Sequence, residues 1–450
     1  MFRSCRMMAA TAVALLAIAL AAGTADARSG HSPRGGGGNA APVPATAVLD
    51  WNATAVATVR GAMPAKFQIE GDLYMSYVQA AVYDAVVSIA GRYEPYHAFA
   101  TPVSPRGASI PAAVAAAAYT ALAYYFPPQA ATLQTTYTAY LAALPSAGQA
   151  AGVAIGQAAA NDVIAARTGD GRDAVISTPY GAGPIMPGVW VFAPLPSLQS
   201  AQTPWLAFMR PLTLQSPSQF RVGPPPRLKS HRYARDLNEV QAYGSATSTL
   251  RTPEQTAVAQ FWNANATSQV NAMMAGVVTG HAMDAVDAAR AFAIANMVDT
   301  DAGIACWDSK YHYTFWRPIT AIQHADIDGN PATTADPAWT PLLVTPNHPE
   351  YPAAHSCVTA AESVFLTSIL HTSNIQVDYP GAVGGASTLT TTRHYATASD
   401  LRREIVDARV WAGLHYRNSG TVGVWLGKAV ARYALDHYFQ PIHHRGHHSH

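Results

Sequence analysis

Apolar positions recur along this chain at the three-and-four spacing of helices, and no alternation of strand type persists over a useful length. Helices are predicted over 72–90, 110–126, 130–144 and 147–166. Gly-Arg ahead of a proline, then Pro-Pro, Leu-Pro-Ser and Gly-Asp-Gly-Arg punctuate them. These segments define an N-terminal helical bundle over 45–170. Residues 171–226 are rich in Pro, Gly and Ser and lack a period, so an irregular crossing segment is expected there. Helical patterning returns at 230–243, 253–271 and 276–298, and again at 355–370, 399–412 and 421–438, with 324–352 irregular. The fold class expected is all-α, with two helical bundles, the second over 227–440.

The ends of the chain depart from this pattern. Residues 1–27 carry Arg3 and Arg6, an apolar stretch, and Ala25-Asp26-Ala27 as a small-residue cleavage site. They read as a signal peptide, which implies a secreted or periplasmic protein. An uncleaved anchor is the alternative. Residues 28–44, with a run of four glycines, read as a flexible linker. Residues 441–450 form a His-rich tail that is either a solvated end or a transition-metal binder.

Charge and cysteine content narrow the function. Signal removal leaves 26 basic and 26 acidic residues, a neutral chain that points to no nucleic acid and no anionic membrane as partner. No apolar run after the signal reaches the ~18 residues that span a bilayer. Cys306 and Cys357 are the cysteines left after cleavage, and they are either a disulfide or two buried thiols.

Three segments concentrate polar groups that a helical core avoids. In Cys306–Pro318, Lys310 and Arg317 stand two helical turns apart, which places them on one face, with Pro318 as the helix stop. Two like charges on one face call for an anion between them or for solvent around them. In H-P-E-Y-P-A-A-H-S-C, residues 348–357, prolines stiffen a loop that delivers His355 to a helix start. In D-A-R-V-W-A-G-L-H-Y-R-N-S, residues 407–419, Arg409 and His415 converge only if the helix breaks between them, and Gly413 is the expected break.

Lys-x6-Arg-Pro, Pro-x-x-His and Arg-x5-His, in this order, resemble the three-part signature of the vanadium-dependent haloperoxidases. That family shares a superfamily with type 2 phosphatidic-acid phosphatases and bacterial acid phosphatases. The resemblance is specific over about 275–436 and weaker before it, where A-A-V-Y-D-A-V and G-R-Y-E-P-Y look like the first bundle of exported bacterial members. It implies two four-helix bundles with the active site in the C-terminal one. Lys310, Arg317 and Arg409, with the Ala354 N–H, would bind the oxygens of a tetrahedral oxyanion, vanadate or phosphate. His415 would bind the vanadium, His355 would act as acid–base, and Lys310 would polarise bound peroxide. Trp307 and His348 stand where halide- or substrate-side residues lie in the family, with plain packing as the alternative. The implied activity is oxidation of halide by hydrogen peroxide, releasing hypohalous acid or a halogenated small organic substrate. A phosphomonoesterase working through a phosphohistidine at His415, and a non-catalytic oxyanion-binding protein, are the alternatives. The family's Pro-Ser-Gly-His is Pro-Ala-Ala-His here, so Ala353 offers no hydroxyl. Ala408 replaces a serine, and Ser419 stands where many members carry aspartate.

Overall fold

A computed structural model describes residues 42–192, 200–381 and 391–442. The signal peptide, nearly all of the linker and the histidines of the tail lie outside them. Thirteen α-helices and one small hairpin make up the regular structure of the described residues.

The N-terminal part consists of α1 (Thr46–Arg60), α2 (Gln68–Ala90), α3 (Ile110–Tyr125), α4 (Ala130–Ala143) and α5 (Gln149–Ala166). Ser109 caps α3, accepting from the Ala112 N–H. The alanine-rich α3 lies so close to α5 that a Cβ on Gly156 would sit 2.3 Å from the Ala113 carbonyl oxygen. α2 is apolar and long enough to cross a membrane, yet 83% of its apolar window is buried inside the protein. It packs on α9 (Ala285–Tyr313), the longest helix, and so ties the two halves into one core.

α6 (His231–Tyr243), α7 (Pro253–Phe261) and α8 (Ala266–Gly280) precede α9; α10 (Pro318–Gln323), α11 (Ala354–Leu370), α12 (Ala398–Trp411) and α13 (Arg417–His437) follow it. α11 packs on α9, α12 and α13. The hairpin pairs β1 (Val377–Tyr379) with β2 (Arg393–Tyr395), antiparallel.

The structure corrects several boundaries. α1 has no counterpart in the predicted helices. The continuous helix expected over 253–271 is two, because Asn265 leaves the helix and caps α8 through Ser268 N–H. The helix expected from 276 instead starts at 285, where Asp284 caps the Val286 and Asp287 N–H groups. The crossing segment contains only a 3-10 turn, Pro204–Ala207, among its described residues. Asp301 of α9 holds it in place, accepting from the N–H groups of Leu212, Thr213 and Leu214 at 2.7, 2.6 and 3.2 Å. Cys306 and Cys357 are both buried and both free thiols, not a disulfide.

Candidate active site

The first polar segment is not one helix. α9 ends at Tyr313 because Thr314 adopts φ 46°, a left-handed conformation, and Phe315 pairs with Val189 of the crossing segment. Arg317 is then the N-cap of α10, with Pro318 in that helix's first turn. Lys310 and Arg317 therefore do not share a helix face; the turn brings both side chains back under the loop 344–353. Lys310 Nζ donates to the carbonyls of Pro349, Glu350 and Pro352 at 2.9, 2.8 and 2.5 Å. Arg317 donates through Nε to the His348 carbonyl at 2.9 Å and through Nη1 to the Leu414 carbonyl at 3.0 Å. Both cations are wholly buried.

α11 begins at Ala354, whose φ is negative, so the missing glycine costs no backbone strain. Ala353 is the N-cap and supplies no side-chain acceptor. The first helical bond runs from Cys357 N–H to Ala353 O, which leaves the N–H groups of Ala354, His355 and Ser356 as the helix's open donors. Ala354 and His355 line a cavity of about 100 Å³.

The third segment breaks where expected. Gly413 has φ 78°, and a Cβ there would meet the Gly244 carbonyl oxygen at 2.5 Å. α12 ends at Trp411, and the turn carries His415 back toward Arg409. His415 Nε2 accepts from Arg317 Nη1 at 3.1 Å, and its Nδ1 bonds Glu350 Oε1 at 2.9 Å. Nδ1 therefore carries the proton and Nε2 the lone pair.

Of the residues singled out in the sequence, Trp307, His348, Ala354, His355, Arg409 and His415 line the cavity. Lys310 and Arg317 stand behind it, Arg317 in contact with both His348 and His415. His348 also packs against Trp307, ring centroids 4.8 Å apart, so the pair both pack together and face the cavity. Arg409 donates through Nη1 to the Trp262 carbonyl at 3.2 Å, while its Nε is buried without a partner. A larger cleft of about 550 Å³, lined in part by Arg221, Arg232 and Trp425, contains none of the candidate residues.

Burial sets the electrostatics. It pushes Lys310 down to about 8, Arg317 to about 10 and Arg409 to about 9, the last two groups also repelling each other. Burial, then the neighbouring cations, hold His355 and His415 well below the usual imidazole range. Glu350 is raised to about 7 by burial, against the pull of Lys310 and Arg317. Around His415, three cations face the one carboxylate of Glu350, a local field that suits an oxyanion.

Glu350 was missed in the sequence. Its Oε1 also accepts from the Tyr416 N–H at 3.1 Å, and its Oε2 accepts from Ser419 Oγ at 2.8 Å. It thus reaches His415 from the proline-rich loop, with Ser419 of α13 bonded to it. The signal was present, a lone acid inside an apolar, proline-braced stretch next to a histidine that needs orienting.

Comparisons with known proteins bear on the fold. Residues 290–444 match the family model described as the VCPO second helical-bundle domain. The vanadium chloroperoxidase of Curvularia inaequalis is 27% identical over 173 residues, covering 31% of this chain and 28% of that protein, so the chain matches under a third of that relative's length. A bacterial vanadium-dependent iodoperoxidase structure aligns with TM-score 0.74 at 21% identity, over 89% of this chain and 99% of that one. A holo-type bacterial vanadium-dependent chloroperoxidase aligns with TM-score 0.64 at 21% identity, over 82% and 92%. The all-α fold is that of these vanadium-dependent haloperoxidase structures, and residues 290–444 are similar to the second helical bundle that the family model describes.

Proposed function

We propose that this chain, residues 290–444 of which match the VCPO second helical-bundle model, oxidises halide with hydrogen peroxide at a vanadate bound to His415. The unpartnered Nε of Arg409, buried beside two neutral histidines in a field with positive charge in excess, carries the reading. A buried guanidinium left half-satisfied is costly unless an anion completes it. His415 Nε2 would hold the vanadate, and Arg409, Arg317 and the Ala354 N–H would hold its oxygens. Vanadate supplies a Lewis acid there, without a change of its own oxidation state.

The protein's part in the reaction follows from the geometry. Glu350 keeps the proton on His415 Nδ1 and so keeps the Nε2 lone pair available. That lone pair accepts from Arg317, so oxyanion entry requires Arg317 to turn a donor from His415 to the anion. Lys310 is anchored by three carbonyls and acts as a fixed charge in the wall. His355 is neutral while the cations around it are uncompensated; an anion among them raises its affinity for a proton, which suits it to proton exchange with the bound group. Trp307 and His348, with ring centroids 4.8 Å apart, form part of the cavity wall. Phosphate fits the same cradle, so the phosphomonoesterase chemistry is the reading to test against. We further propose that the chain is exported after loss of residues 1–27, that residues 45–170 and 227–440 are its two bundles, and that a small organic molecule accepts the oxidised halogen.

The test is purified protein with added vanadate, assayed for bromide oxidation by peroxide and for p-nitrophenyl phosphate hydrolysis. Bromination that needs vanadate and is lost in His415→Ala is the expected result. Hydrolysis inhibited by vanadate, without bromination, would replace this reading with the phosphatase.

A further inference from the structure

The wall of the same cavity opposite in charge to Arg409 is acidic. Asp72 of α2 and Glu362 of α11 both line it, and both act electrostatically on Asp299 of α9. All three are buried, at 2%, 4% and 1% exposure. Asp72 accepts from Thr267 Oγ1 at 2.6 Å and Glu362 from the Tyr379 hydroxyl at 2.7 Å. Asp299 has no partner for either oxygen.

Three buried carboxylates cannot all be ionised without cations. The groups that act on them are one another and the Tyr379 hydroxyl of β1, while α8 contributes only the Thr267 hydroxyl. Among the described residues, no group of three acidic, His or Cys side chains is placed to hold a metal ion. Protons are the remaining counter-charge. In agreement, burial raises Asp72 and Glu362 each to about 7, and burial, then Glu362 and Asp72, holds Asp299 well above the usual carboxylate range.

We infer that Asp72, Asp299 and Glu362 form a buried proton store that feeds the cavity, an inference resting on the haloperoxidase reading for its use. Halide oxidation consumes a proton: halide, hydrogen peroxide and one proton give hypohalous acid and water. The cationic wall holds none to spare, since Lys310 is committed to three carbonyls and the histidines are neutral. Glu362 lies seven residues beyond His355 on α11, two turns along the same face and roughly 10 Å away along the axis. The cavity has room for water between them. A proton leaves the Glu362 carboxyl along that water to His355, leaving a carboxylate that solvent reprotonates before the next turnover.

Glu362→Gln tests this, because its amide oxygen still accepts from Tyr379 while it can no longer release a proton. Vanadate affinity stays within twofold of wild type, bromide oxidation above neutral pH falls roughly tenfold, and the alkaline limb moves down by about one pH unit. Infrared spectra of the vanadate-free protein at neutral pH show a protonated-carboxyl C=O band that weakens in Glu362→Gln and in Asp299→Asn. An unchanged pH profile, no such band, or a stoichiometric metal ion in the purified protein overturns the inference. If wild type oxidises no bromide under any condition, the haloperoxidase reading falls, and the infrared band alone decides the store.

Discussion

Glu350→Gln separates what orients His415 from what attracts an anion to it. The glutamine amide reproduces the shape of the carboxylate: its oxygen accepts from His415 Nδ1 and the Tyr416 N–H, and its NH2 donates to Ser419 Oγ. Two effects then oppose each other. Loss of one buried negative charge makes the site more attractive to any anion, by ~3 kcal/mol for charges roughly 6 Å apart at an effective dielectric of 20. Exchange of a charge-assisted hydrogen bond for a neutral one lowers the basicity of Nε2, by about 1–1.5 kcal/mol. The first effect is common to phosphate and vanadate, which share shape; the second acts on vanadate alone, which needs the nitrogen lone pair. The ratio of vanadate to phosphate affinity, measured by calorimetry on the same preparations, is therefore expected to fall roughly five- to tenfold. Adding Ser419→Asp, which returns a carboxylate within reach of the imidazole, restores it. A ratio within twofold of wild type would refute the reasoning, because His415 would then owe nothing to its carboxylate.

Three further outcomes follow. Gly413→Ala forces a side chain into a left-handed residue 2.5 Å from the Gly244 carbonyl oxygen, and is expected to cost about 1–3 kcal/mol in urea unfolding and to weaken vanadate binding by moving His415. Ala353→Ser adds a hydroxyl at the N-cap of α11 and should tighten oxyanion binding by about 1 kcal/mol in calorimetry; no change would mean that the hydroxyl does not reach the anion. Glu362 is held at about 7 against an ordinary 4.5, so the folded protein keeps a proton that the unfolded chain has released. Its contribution is complete below pH 4.5 and is lost as pH rises through 7. Glu362→Gln removes this dependence, and its stability relative to wild type should climb by up to about 3 kcal/mol between those values. The site histidines, held below their ordinary range, act in the opposite sense in both proteins and cancel in the difference.

How much of this was legible depends on range. The helices at 110–125, 231–243 and 354–370 lie within two residues of their predicted bounds, because an apolar stripe and its cap are local properties. The break at Gly413 was legible for the same reason: only a residue without Cβ fits that turn. The break at Asn265 and the start of α9 at Ala285 were not, since apolar periodicity runs through both and only side-chain capping stops the helix. Lys310 and Arg317 were assigned to one helix face, whereas Thr314 ends the helix between them, in a left-handed conformation that β-branched residues seldom adopt.

By itself, the sequence determined that the chain is helical and that Lys310, Arg317, His355, Arg409 and His415 come in an order and spacing that resembles the haloperoxidase signature. Those are matters of residue type and local geometry. Tertiary structure decided which of them face the cavity and which stand behind it, that Glu350 from the loop bonds His415 and Ser419, and that Asp72, Asp299 and Glu362 are buried within electrostatic reach of one another. These pairings involve residues that lie 63 to 290 positions apart. Nothing local to an aspartate in α2 tells it that a glutamate of α11 will share its burial; only packing three helices together removes the water that would otherwise keep both charged.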